Sequence, residues 1–211
     1  YAIAAGALAA GAAAVWLLGS ASLPVRDGAL QLSGLQGRVA VAFDEYGIPS
    51  LTAESRLDAF RVLGYVTAQD RLFQMDLLRR ASAGRLAEIF GEPAVSADVR
   101  QRRLGLSSVA EAVLRRLPED QLSVLMAYAD GVNAFLTDMT ILPFEFLLLR
   151  YRPTRWEATD SLLVVLAMFQ MLNGSEDDER MRTVMTASPA ATPVTLPSLS
   201  TVDRKSTRLN S

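Results

Sequence analysis

The sequence has no cysteine and no histidine among its 211 residues. Without cysteine there is no disulfide, no thiolate nucleophile and no thiolate metal ligand. Without histidine there is no His-dependent triad and no imidazole zinc site. Any catalytic base must therefore be a carboxylate, an amine or a group brought by another chain. Lysine is nearly absent as well: of 21 basic residues, only Lys205 is not Arg. Net charge is −2, so no basic field points to nucleic acid, and none is expected as a partner. No Gly-rich phosphate loop follows a strand, and no organic cofactor is expected.

Apolar residues make up 50% of the chain and charged residues 21%. That balance suits a folded core of one or two domains and argues against global disorder. The first charged residue is Arg26. Some 20 apolar residues at ~1.5 Å rise could cross a ~30 Å hydrocarbon layer, and Gly19-Ser20-Ala21 offers the small residues a signal peptidase accepts. Residues 1–23 thus read as a signal peptide or membrane anchor. Uncleaved, residues 1–20 would make the membrane a partner. Either way the remainder is expected outside the cytoplasm, periplasmic or anchored and facing outward. The chain opens on Tyr1 rather than Met, and its end, Arg204 to Ser211, differs abruptly in composition. Residues 204–211 read as a non-native tail.

Residues 24–37 carry Pro24, Gly28, Gly34 and Gly37 and read as a linker. Val39, Val41 and Phe43 then alternate with polar or small residues, as a half-buried strand does. Tyr46-Gly47-Ile48-Pro49 breaks the run and Ser50–Ala53 returns, which predicts a hairpin. Ser55 with Asp58 three residues on predicts a capped helix. Leu57, Phe60, Val62, Leu63 and Val66 give that helix an apolar face. A second helical run holds Leu72, Phe73, Met75, Leu77 and Leu78, with Asp76 and Arg80 spaced for a surface ion pair. Gly84 interrupts it, a short turn over 86–90 ends at Gly91 with Pro93 behind it, and a helix over 107–116 and a longer helix from Pro118 through Leu136 follow. Asp160 is expected to cap a last helix, Leu162 to about Leu172. Residues 186–203 are Ser/Thr/Pro-rich and read as loop.

Catalytic equipment is missing from this inventory. Gln69-Asp70-Arg71 is a polar trio in an apolar helical region and reads as structural. Arg100, Arg102 and Arg103 read as a solvated face. The acidic run Glu176-Asp177-Asp178-Glu179 could offer oxygens to calcium, although the spacing is not that of an EF-hand and a solvated helix end explains it as well. Met168, Phe169, Met171 and Leu172 could line an apolar pocket or simply be core.

Several stretches resemble the penicillin acylase family. Asp44-Glu45-Tyr46-Gly47-Ile48-Pro49 is similar to its D-x-x-G-[IV]-P opening. Gly64-Tyr65-Val66-Thr67-Ala68-Gln69-Asp70-Arg71-Leu72-Phe73-Gln74-Met75 is similar to its long G-Y-x-x-A-Q-D-R-L-x-Q-M run. Arg79, Gly84–Glu88, Tyr128–Phe135, Leu142-Pro143, Tyr151-x-Pro153, Trp156 and Asp160–Leu162 extend the likeness, which covers residues 24–185.

The resemblance implies an α+β fold: the mostly helical α-chain portion of an N-terminal-nucleophile αββα hydrolase, with a short N-terminal β-hairpin. It implies a zymogen that cuts itself into an α chain, a spacer and a β chain, forming an αβ heterodimer. The β chain's N-terminal Ser would be the nucleophile and its α-amine the base, so no catalytic residue is expected here and the 211 residues alone should be inactive. The implied reaction removes an acyl group from a small acylated amide such as a β-lactam antibiotic. Calcium is implied as a structural ion, with Glu179 at the ligand position and Glu176 or Asp178 as alternatives. Met168, Phe169 and Leu172 are the implied acyl-pocket residues. Acyl-homoserine-lactone acylase activity is the alternative within the family. A membrane-anchored helical module without chemistry is the alternative outside it.

Overall fold

The computed structural model describes residues 24, 26–172, 181–184 and 186. Two compact units are distinguished, Tyr1–Gln170 and Met171–Ser211. The first opens with β1 (Val39–Phe43) and β2 (Pro49–Ala53), an antiparallel pair with Val39 opposite Ala53 and Phe43 opposite Pro49. The predicted alternation holds: Val39, Val41 and Phe43 are half-buried and Ala40 and Ala42 exposed. The Asp44 carboxylate makes the turn by accepting from the Tyr46 and Ile48 amides at 2.9 and 2.8 Å. Gly47 follows at φ 77°, a left-handed conformation costly for other residues. The D-x-x-G motif is therefore the chemistry of one tight turn.

Helix α1 (Arg56–Ala83) is the longest element at 28 residues. Ser55 caps it, its hydroxyl accepting from the Asp58 amide at 3.4 Å. Asp58 does not complete the expected capping box. Buried at the first turn, it accepts instead from the Gln36 and Gly37 amides at 3.1 and 3.0 Å, which pins the preceding linker to the helix. The two helical runs expected here are one helix broken at Arg71 (φ −146°, ψ 38°). The Thr67 hydroxyl donates to the Leu63 carbonyl one turn earlier, a contact that bends helices. At the far end Gly84 adopts φ 65° and its amide closes onto Ala81.

Short α2 (Ala87–Phe90), α3 (Glu92–Leu104) and α4 (Leu106–Leu114) follow. The sequence pattern did not predict α3, because Gly91 and Pro93 read as a stop. Pro93 lies in its first turn, where a missing N–H costs nothing. Asp98 of α3 accepts from the Leu86 and Ala87 amides at 2.9 and 2.7 Å, capping α2 from outside. Then come α5 (Glu119–Asp138), α6 (Phe144–Leu149) and α7 (Ala158–Leu172). Residues 181–184 and 186 are also helical.

The core forms where α1 meets α5 and the 146–156 segment. Ala68, Leu72 and Met75 pack with Ala129, Val132, Phe146 and Trp156. Tyr65 and Phe135 meet edge to face, as do Phe73 and Phe146. Glycine allows α1 and α5 this approach. A Cβ on Gly64 would lie 2.1 Å from the Tyr128 carbonyl oxygen, and one on Gly131 1.8 Å from that of Arg61. The obstructing atoms are backbone, so the helices themselves would have to separate. Gly64→Ala and Gly131→Ala should each destabilise the fold by about 3 kcal/mol, at the upper end of overpacking costs. Urea denaturation midpoints at unchanged slope check this; a loss below about 0.5 kcal/mol for both would contradict the close crossing.

Candidate functional site

The candidate site rests on α7, and α7 is held by one arginine. Arg79 of α1 is 6% exposed. Its Nε and Nη2 donate to Asp76 Oδ1, its Nη1 to the Arg155 carbonyl and to Asp160 Oδ2 (both 2.8 Å), and its Nη2 also to the Thr154 carbonyl at 2.9 Å. All five guanidinium N–H groups thus have acceptors. The guanidinium also lies over the Trp156 ring, 5.1 Å from its centre. Asp76 spends its other oxygen on Arg80 Nε at 2.9 Å and the Tyr151 hydroxyl at 3.0 Å. Arg80 reaches on to Glu88.

This network corrects two expectations. The Asp76–Arg80 pair is not on the surface: both residues are buried, at 1% and 6% exposure. Their i,i+4 spacing was legible, but the acceptors waiting on residues 151–160 were not. Asp160 is not the α7 cap residue either. It stands inside the first turn and reaches back to the Glu157 amide at 2.9 Å while holding Arg79. Asn133 adds a third clamp, its side-chain amide pairing with both backbone groups of Trp156 at 2.8 Å.

Met168, Phe169 and Leu172 all stand on the last turns of α7. Leu163 and Ala167 are the buried side of that helix, while Met168, Phe169 and Leu172 are 55%, 64% and 82% exposed. Met168 and Phe169 thus present an apolar surface on the first unit, and Leu172 is exposed in the second. Such a surface can hold an apolar group but cannot make or break a bond.

Glu176, Asp178 and Glu179 lie outside the described residues, as do residues 1–23, 187–203 and 204–211. Among the described residues no three acidic side chains come together to hold a metal ion, and no helix is long and apolar enough to cross a membrane. Gln69-Asp70-Arg71 sits at the α1 break beside a cleft of about 240 Å³ lined in part by Arg26, Phe43 and Thr67. Asp70 pairs with Arg71 at 2.9 Å on the surface. Arg100, Arg102 and Arg103 are exposed as expected, and Arg102 Nε also donates to the Gly84 carbonyl at 2.7 Å.

The sequence that makes these contacts matches a known family. A profile of the penicillin amidase family matches residues 38–206. The chain belongs to that family. It is 44% identical over 145 residues to penicillin acylase 2 proenzyme of Pseudomonas sp. (strain SE83), covering 69% of this chain and 19% of that protein. It is 37% identical over 153 residues to the acyl-homoserine lactone acylase QuiP of Pseudomonas aeruginosa, covering 72% of this chain and 18% of that one. A solved thermostable penicillin G acylase from Alcaligenes faecalis is similar over 76% of this chain and 97% of its own, with a TM-score of 0.56 and 28% identity. The chain thus spans about a fifth of the length of the curated relatives it matches. The expected fold class holds: the described residues are mostly helical with a two-stranded hairpin, and the solved relative has the N-terminal-nucleophile hydrolase fold.

Two predictions follow from the buried network. Arg79→Met keeps much of the side chain's bulk but leaves Asp160 without its cation and Asp76 with Arg80 alone. Its cost should be about 3–5 kcal/mol, as for other broken buried pairs, measured by denaturant unfolding. The second concerns alkali. Burial, then the Asp76 carboxylate, holds the Tyr151 phenol well above its ordinary pKa. A raised folded-state value means the unfolded chain ionises first, near pH ~10. The stability tied to the neutral phenol is complete below that pH and declines as pH climbs toward the folded value. Tyr151→Phe should make the alkaline loss of stability shallower, with Tyr65 and Tyr128, also raised by burial, carrying the remainder.

Proposed function

We propose that this chain is the α-chain part of an exported amidohydrolase that removes the acyl group from a small amide, as a penicillin acylase does. The observation that carries the reading is the pair of coverages: about a fifth of the full-length relatives, yet 97% of a chain in the solved penicillin G acylase. The counterpart of this sequence is a chain of its own in that structure. On this reading the nucleophile and its base arrive on a β chain released from the same precursor by autocatalytic cleavage. That division agrees with the absence of histidine and cysteine here, since an N-terminal serine with its own amine needs neither.

The part left to this chain is binding. Met168, Phe169 and Leu172 would form one wall for the acyl group, closed by the partner. Calcium belongs to the proposal as a structural ion, with Glu179 as ligand and Glu176 or Asp178 as alternatives; no catalytic step runs through it. Export through residues 1–23 belongs to it as well. The likeness to an acyl-homoserine lactone acylase favours a second substrate class, long-chain acyl lactones, within the same chemistry.

The decisive experiment expresses the 211 residues alone and as part of the full coding sequence. Phenylacetyl amides and long-chain acyl homoserine lactones are the substrates. Only the processed full-length protein should turn over either; hydrolysis by the 211 residues alone would overturn the division of labour. In that processed protein, Phe169→Ala should raise KM for the preferred acyl chain by on the order of tenfold, the scale of lost apolar pocket contacts. An unchanged KM and unchanged chain-length preference would remove Phe169 from the pocket.

A further inference from the structure

Helix α6 is apolar on almost every side. Among its residues, Phe144–Leu149, only Glu145 is polar. Phe146 is fully buried, 5.6 Å from the Phe73 ring centre and 5.0 Å from that of Tyr151. Phe144, Leu147 and Leu148 point elsewhere and are 65%, 48% and 75% exposed. A helix apolar all round sits between two surfaces, and the described residues supply one.

The ridge is preformed rather than loose. Pro143 precedes α6. Arg150 ends it in a left-handed turn at φ 55°, donating its amide to the Leu147 carbonyl, and the Tyr151 amide returns to the Phe146 carbonyl at 3.2 Å. With Phe146 locked below, the backbone that carries the outer side chains is fixed before any partner arrives, which lowers the ordering cost of association. Three side chains are too few for an interface of their own, which needs ~800 Å² per partner. They must belong to a larger contact. The polypeptide available to make it is the four fifths of the relatives' length that this chain does not span.

We propose that the outer face of α6, formed by Phe144, Leu147 and Leu148, is a docking ridge for the segment encoded downstream, which meets it with an apolar groove. This rests on the two-chain reading above and adds to it the place of contact. The ridge lies on a different helix from Met168 and Phe169, so its part is to hold the chains together rather than to bind the acyl group.

The absence of cysteine makes the test direct. Leu148→Cys places a single thiol of this chain at an already exposed position. In the full-length, processed protein its maleimide labelling is followed on the peptide that carries it, native and after unfolding in guanidinium. Native labelling at least tenfold slower than unfolded supports the ridge. Two processed chains with Cys labelling within about twofold of the unfolded rate overturn it while leaving the two-chain reading intact. Phe144→Cys, read the same way, serves if the first variant does not assemble. A wild-type precursor that is never processed and never associates overturns both readings. Protection that grows with protein concentration assigns the ridge to a second copy and overturns the proposal.

Discussion

The guanidinium of Arg79 is the constraint on which the remaining architecture depends. It lies inside the protein, where a lone charge is prohibitively costly. It persists there because every donor has an acceptor and because Asp76 and Asp160 offset its charge. Two of those acceptors are backbone carbonyls, at Thr154 and Arg155. The segment from 154 to 160 must therefore adopt one conformation, and that conformation launches α7. A charged group that is stable only when fully satisfied acts as a register pin, whereas apolar packing alone tolerates sliding.

Seen this way, the long sequence signature is scaffold. Gly64 lets α1 touch α5, Tyr65 and Phe73 make edge-to-face ring contacts, and Asn133, Trp156 and Asp160 join Arg79 in the clamp. Gln69-Asp70-Arg71 sits where the helix breaks. No buried side-chain polar atom among the described residues lacks a partner. The specificity of the motif comes from the demand that many polar groups be satisfied at once. A family can therefore be recognised from residues that build its scaffold.

Local chemistry was legible in the sequence and long-range geometry was not. The hairpin alternation, the Gly47 turn, the Ser55 cap and the Gly84 stop all express interactions within a few residues. Asp58, Asp98 and Asp160 are different. Each looks like an ordinary helix-start or surface carboxylate, yet each takes at least one partner from another segment: residues 36–37, residues 86–87, and Arg79. Proline misled at 93, since the same residue ends one helix and opens the next. The apolar residues of α7 were legible as apolar, but spacing alone could not say which would face the core. Leu163 and Ala167 do, and Met168 and Phe169 do not.

That last distinction bears on function. The buried polar clamp spends its strength on fixing α7 and the 151–160 segment, while the helices so fixed turn apolar side chains outward: Met168 and Phe169 on α7, Phe144 and Leu148 on α6. A self-sufficient fold would gain by reversing that arrangement, with charges outside and these side chains inside. On the two-chain reading proposed above, the inversion makes sense: a second surface closes over the rigid part. The polar interior thus serves to position two apolar surfaces, one on α6 and one on α7.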